Sequence, residues 1–285
     1  MTVGVVLMAY GTPRDRDDIE AYYTDIRRGQ APPPDLLADL VRRYDALGGT
    51  FPLRDITNRQ VAAIAAALGP SYEVRLGMKH SSPRIEDAVG SLSETGVERM
   101  VGLVLAPHYS AFSVGEYAAR AAGVDVIESW HLLPAYVDFL ARAVGAARST
   151  MPAGTEVVFT AHSLPERILA SSDPYPQQLR ETAETVAARH PGVPWSVAWQ
   201  SAGRTPEPWL GPDILDVLRD RARDGSPGVV VCACGFVADH LEVAYDLDLE
   251  AAAVARDLEL PFTRTASVND DPDVMAALAS LIARR

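Results

Sequence analysis

Apolar runs of five to nine residues ending in small or polar side chains alternate along the chain with stretches whose apolar positions recur every three to four residues. That alternation is the pattern of parallel strands joined by crossover helices. Strands are predicted at VGVVLMAY (3–10), YEVRLGM (72–78), RMVGLVLAP (99–107), VDVIESW (124–130), TEVVFTAH (155–162), WSVAWQS (195–201), GVVVCAC (228–234) and FTRTA (262–266). Helices are predicted at 35–47, 59–68, 84–95, 133–149, 175–190, 213–224, 242–258 and 272–284.

Four strands fall in each part of the chain, so the pattern predicts an α/β protein of two similar Rossmann-like halves, 1–140 and 141–285. Each half is a four-stranded parallel sheet flanked by helices. No low-complexity linker separates them, so they should pack tightly. Ligands of such sheets bind beyond the carboxyl ends of the strands, and the cleft between the halves is where to look. The polar strand ends are Tyr10-Gly-Thr-Pro, Lys79-His80, His108-Tyr109-Ser110, His162-Ser163 and the acidic run from Asp239 to Glu250. G-x-G-x-x-G after the first strand, the P-loop and G-x-S-x-G are all missing, which argues against nucleotide binding and α/β-hydrolase chemistry.

The formal charge of −12 over 285 residues argues against a general nucleic-acid or anionic-membrane binder. Two cysteines, Cys232 and Cys234, are too few for a disulfide framework and point to a reducing compartment. MTVGVVLMAY has no basic leader and its apolar run is too short to cross a bilayer, so a soluble cytoplasmic monomer is expected. Of the 26 basic residues all but Lys79 are Arg, which coding bias alone can produce.

The stretch GFVADHLEVAYDLDLE (235–250) stands out. On a helix, Glu242, Asp246 and Glu250 recur at i, i+4 and i+8 on one face, with no basic residue between Asp224 and Arg256. Such a face suits a cation that passes through; the alternative is a solvated acidic helix start favoured by the macrodipole. His162, at a strand tip, is either a hydrogen-bonding structural residue or a general base or metal ligand. Ser163 beside it lacks an elbow motif that would make it a nucleophile. Arg27, Arg28, Arg42, Arg43, Arg54 and Arg59, interleaved with Tyr22, Tyr23, Tyr44 and Phe51, could hold a flat apolar molecule with peripheral carboxylates, or be ordinary helix-surface arginines. Tyr10 could ligate a metal if deprotonated or simply be buried. Cys232 and Cys234 read as small core residues rather than a soft-metal site.

The strings VLMAYGTP (6–13), YYTDIRRG (22–29), RYDALGG (43–49), GMKHSSPRIEDAV (77–89), LAPHYSAFSVGEY (105–117), TAHSLPERI (160–168), DPYPQQL (173–179), WQSAGRTPEPWLGPD (199–213) and the acidic stretch closely resemble the ferrochelatases, in family order over nearly the whole chain. MAYGTP and YYTDIRRG look most like the bacterial enzymes that insert iron into coproporphyrin III. The resemblance implies that His162 and Glu242 form the metal and proton-transfer site, with Asp246 and Glu250 as its acidic relay. It further implies that Tyr10 is the oxygen ligand to product iron on the opposite ring face, and that Arg27, Arg43, Tyr44 and Tyr117, with Tyr10, contact the porphyrin and its propionates. It leaves the role of Lys79 and His80 open. Iron must replace two pyrrole protons, and a buckled ring exposes its lone pairs, so a base and a few kcal/mol of ring strain are expected.

The implied partners are coproporphyrin III, ferrous iron and, transiently, other enzymes of haem synthesis, without stable membrane insertion. No cofactor beyond the substrate iron is expected, and with two cysteines and an end at Arg285 the [2Fe–2S] cluster of some relatives is not expected either. The chain departs from the pattern at Phe51 and Ala111, where relatives carry small hydroxyl residues, and in a shorter segment after Tyr117; both bear on substrate choice. Protoporphyrin IX as substrate, a different metal such as cobalt, a non-catalytic tetrapyrrole carrier and a metal-binding regulator are the rival readings.

Overall fold

The computed structural model describes residues 2–49 and 52–285. Two four-stranded, all-parallel sheets share one strand order, second-first-third-fourth. The first sheet holds β1 (Val3–Ala9), β2 (Tyr72–Met78), β3 (Arg99–Val104) and β4 (Asp125–Ile127), and the second β5 (Glu156–His162), β6 (Trp195–Gln200), β7 (Val229–Cys232) and β8 (Phe262–Arg264). Every predicted strand is present, most of them trimmed at the polar end, where pairing stops and the chain turns toward the cleft. β1 and β5 lie mid-sheet and read as continuous apolar runs because helices cover both faces.

The helices are α1 (Ile19–Ile26), α2 (Pro34–Ala46), α3 (Pro52–Leu68), α4 (Ile85–Glu94), α5 (Val114–Arg120), α6 (Pro134–Arg148), α7 (Tyr175–Ala187), α8 (Ile214–Arg223), α9 (Leu241–Val243), α10 (Ala252–Asp257) and α11 (Pro272–Ala283). α3 starts seven residues before the predicted 59, since proline is well tolerated in a helix's first turn and does not mark a break there. α1 and α5 were not predicted. The α5 segment runs directly into β4 through four residues, so the wall after Tyr117 is short.

The expected helix over 242–258 is present as one unbroken helical run from Leu241 to Asp257, but of mixed type: α9, a π-helical stretch at Ala244–Ala251, and α10. The wider π turn places the three carboxylates in different surroundings: Glu242 is half-buried, Asp246 is buried and Glu250 is exposed. Nor are they left without cations, because the fold supplies Arg43 to Asp246 from the first half, Nη1 to Oδ1 at 3.1 Å. Arg264 reaches Asp239 (3.1 Å) and Asp248 (2.6 Å) from farther along the chain.

One apolar core runs through both sheets, from Val5, Leu7 and Val101 through Trp130, Tyr136 and Leu140 to Val157, Phe159 and Leu278. α11, last in the chain, packs on α3 of the first half as well as on α6. Buried Gln60 on α3 donates to the carbonyls of Asn269 (2.8 Å) and Val237 (3.3 Å), tying the halves together at the base of the cleft. No described helix is long and apolar enough to cross a membrane.

Candidate active site

His162 is the last residue of β5, delivered to the cleft by a buried strand. Its Nδ1 donates to the Ser163 carbonyl, which turns Nε2 toward Glu242 Oε1 at 3.5 Å. Both side chains keep about a third of their surface open, 34% and 35%. Desolvation opposes charging the imidazole, but the Glu242 carboxylate, the Ser163 carbonyl and Asp246 outweigh it, and the imidazole is pushed up to about 9. Glu242 is held below its ordinary range, its own desolvation overcome chiefly by His162, with Arg43 adding to it. At neutral pH the two are therefore an imidazolium–carboxylate pair.

Supporting groups aim this pair. His240 caps α9 by accepting the Glu242 backbone N–H at Nδ1, 3.1 Å, and desolvation keeps His240 below the usual imidazole range and so neutral. Gln200, at the tip of β6, accepts from Thr160 Oγ1 (2.8 Å) and donates to the Glu242 carbonyl (2.8 Å), fixing the acid to the sheet. The Tyr175 hydroxyl donates to the His162 carbonyl at 3.0 Å. After β7 the chain passes so close to β5 that a Cβ on Gly235 would stand 2.3 Å from that of Ala161, one residue before His162. His240, Gln200 and Tyr175 were not singled out from sequence; only their position at strand ends and helix starts could have drawn attention to them.

Asp246 lies on the π turn, accepting from Ser201 Oγ and paired to Arg43. Burial raises its carboxyl first, Ser201 and Arg43 oppose, and Glu242 and Glu250 add to the rise, leaving it at about 7. Glu250 is solvent-exposed. Ser163 donates to the Leu210 carbonyl at 2.8 Å and is buried, so it is structural. Cys232 and Cys234 are fully buried in the core, on and just beyond the end of β7. Among the described residues no three His, Cys, Asp or Glu side chains converge as a metal cage.

The facing wall comes from the first half. Tyr10 follows β1 and exposes 42% of its surface, so it is a cleft residue rather than a buried one. Desolvation, then the charges of Glu242 and Glu116, pushes its phenol above the ordinary value. Burial raises the phenols of Tyr22, Tyr44, Tyr117 and Tyr175 as well, and the Glu242 carboxylate adds to each rise. Tyr44 Oη lies 3.4 Å from Thr12 Oγ1, and Tyr117 is buried.

Lys79 pairs with Glu116 and lies 5.9 Å from the Tyr10 ring centre and 5.2 Å from that of Tyr117. The His80 ring packs on Tyr10 at 4.7 Å and meets Asp25 at 2.8 Å, itself bridged to Arg84 at 2.8 Å. Lys79 and His80 thus brace Tyr10 from behind. Burial drops His80 to about 4, leaving it neutral.

The arginines divide. Nε of Arg27 and Nε of Arg54 are buried and without a hydrogen-bond partner, donors suited to an incoming anion. Arg43 is bound to Asp39 and Asp246, Arg42 to Asp39, and Arg59 to Asp270 at 3.1 Å. Arg28 is exposed and 3.9 Å from Glu116. Phe51 lies outside the described residues. Ala111 donates its backbone N–H to Asp173 Oδ2 at 2.8 Å.

A sequence model described as Ferrochelatase matches residues 2–285. A coproporphyrin III ferrochelatase of Halalkalibacterium halodurans is 42% identical over 300 residues, covering 99% of this chain and 97% of the relative. One from Bacillus subtilis is 40% identical over 302 residues, covering 99% and 97%. Among solved structures, SirB from Bacillus subtilis with Fe3+ superposes with a TM-score of 0.58 at 12% identity, over 100% of this chain and 95% of that one. That likeness is one of fold.

Proposed function

Because the chain belongs to the ferrochelatase family, we propose that it inserts ferrous iron into coproporphyrin III in the cleft between its halves. One Fe2+ enters and two pyrrole protons leave. The observation that carries the reading is the pairing of His162 with Glu242, 3.5 Å apart and each about a third exposed at the strand tip of the second half, with the exposed Tyr10, packed on His80 at 4.7 Å, as the wall of the first half. A flat aromatic ring fits between such walls, with one face toward oxygen donors and the other toward a base.

The proton inventory supports the same roles. A dication approaching the imidazolium of His162 repels its proton. That proton passes to the Glu242 carboxylate 3.5 Å away and on to water, after which the neutral Nε2 and the carboxylate can each take one of the two pyrrole protons. Asp246, poised near 7, exchanges protons readily at neutral pH, and exposed Glu250 meets bulk water. Tyr10 keeps its proton until iron arrives on its side and favours the phenolate.

Coproporphyrin III carries four propionates, and the unpartnered Nε of Arg27 and Arg54 are the donors best suited to them. The reading needs no cofactor beyond the iron it consumes. The test is anaerobic Fe2+ insertion followed by absorbance, with coproporphyrin III and protoporphyrin IX in parallel. Faster metallation of coproporphyrin III is expected. Faster protoporphyrin IX turnover would move the specificity, and binding of both without metallation would leave a tetrapyrrole carrier.

A further inference from the structure

Arg43 is held by two carboxylates, one on its own helix and one on the other half. Its Nε meets Asp39 Oδ2 at 3.1 Å, one turn earlier on α2, and its Nη1 meets Asp246 Oδ1 at 3.1 Å on the π turn of the other half. Its guanidinium lies 4.9 Å from the ring centre of Tyr245. Asp39 also receives Arg42 from its own helix and Arg204 from the second half. Three guanidiniums therefore share two carboxylates, and one cation is left over at the edge of the cleft. Among the described residues Asp246 meets Arg43 and the Ser201 hydroxyl.

We propose that Arg43 is a latch, held across the cleft by Asp39 and Asp246 until a porphyrin carboxylate takes its Nη1, so that porphyrin binding releases Asp246 for the incoming cation. This rests on the ferrochelatase reading and adds to it an order of events. Asp39 is the positioning residue: it keeps Nε, and with it the aim of the guanidinium, while Nη1 exchanges one carboxylate for another. Tyr245 offers a planar surface along which the guanidinium can turn without losing its ring contact. By thermodynamic reciprocity, a divalent cation on Asp246 frees Arg43 for the porphyrin by the same factor.

The test is a four-protein cycle: wild type, Asp246→Asn, Arg43→Ala and the double variant, with Asp246→Ala as a second form of the middle step. Coproporphyrin III affinity is read from porphyrin fluorescence, without metal. Removing Asp246 should tighten binding about fivefold to tenfold while Arg43 is present, a coupling of ordinary size. With Arg43→Ala it should change affinity by less than about twofold. A gain of affinity cannot come from misfolding. Unchanged affinity in Asp246→Asn and Asp246→Ala overturns the latch, and so does an equal gain in the Arg43→Ala background, which would be simple removal of negative charge. If the wild-type protein binds no coproporphyrin III, the functional reading falls and the latch with it.

Discussion

The two sheets share one strand order and deliver their strand tips to the same cleft, yet they carry opposite chemistry there. The first half ends its strands in a phenol, a lysine and a histidine held neutral by burial, and flanks them with arginines whose Nε lack partners. The second ends β5 in a histidine held charged by a carboxylate, and follows β7 with a π-helical acidic turn. His80 and His162 make the point within one residue type: the first sits at about 4 and the second at about 9. Burial dominates the first and its Asp25 partner is shared with Arg84, whereas in the second Glu242, the Ser163 carbonyl and Asp246 together outweigh burial. A repeated scaffold fixes where side chains meet; the neighbours at each tip decide whether a histidine there is neutral or charged.

If that division is real, variants on either side separate into two kinds. His162→Ala should cut iron insertion about a thousandfold, the scale of a lost positioned base, with coproporphyrin affinity within a few-fold of wild type. Steady-state rates and fluorescence titration check both. Glu242→Gln removes the main cause that raises His162 and leaves desolvation opposed by the Ser163 carbonyl and Asp246 alone, so its imidazole should fall well below 9 in an NMR titration. The accompanying stability change has a definite sign. The raised histidine stabilises the wild-type fold fully below pH 6.5 and loses that contribution as pH rises through 9, and Glu242→Gln should remove this alkaline decline.

Gly235→Ala tests the backbone behind the second half. Its Cβ would meet Ala161 at 2.3 Å, so a loss of about 1–3 kcal/mol is expected in chemical denaturation, with slower insertion because the strand tip carrying His162 must shift. Arg27→Ala, in the other half, should have the smallest effect: coproporphyrin binding about tenfold weaker and maximal rate nearly unchanged. The loss should shrink for the porphyrin's methyl esters.

Much of this division is legible in the sequence. Alternation of apolar runs with helical periods yields all eight strands, because parallel strands covered on both faces leave a strong local signal. Short α1, absent from the predicted helices, also carries a helical signal in Ile19, Tyr22, Tyr23 and Ile26 at i, i+3, i+4 and i+7. His162, Glu242 and Tyr10 stand at strand tips and helix starts, where motif and topology agree. The π turn has no comparable signature, since the change from α to π rests on how the segment packs and hydrogen-bonds. The pairing of Arg43 with Asp246, 203 residues apart, is equally invisible, as is the support of Glu242 by Gln200 and His240. Apparent isolation of the acidic run came from counting charges along the chain, whereas its cations arrive from β8 and α2.

The central claim is that one half holds the porphyrin and the other performs the exchange of metal for protons. It is tested most directly by measuring coproporphyrin III affinity and the anaerobic Fe2+ insertion rate at saturating porphyrin on the same preparations of His162→Ala and Arg27→Ala. The account predicts opposite patterns: near wild-type affinity with a collapsed rate in the first, and weakened affinity with a nearly intact rate in the second. Parallel losses of affinity and rate in both variants would contradict it.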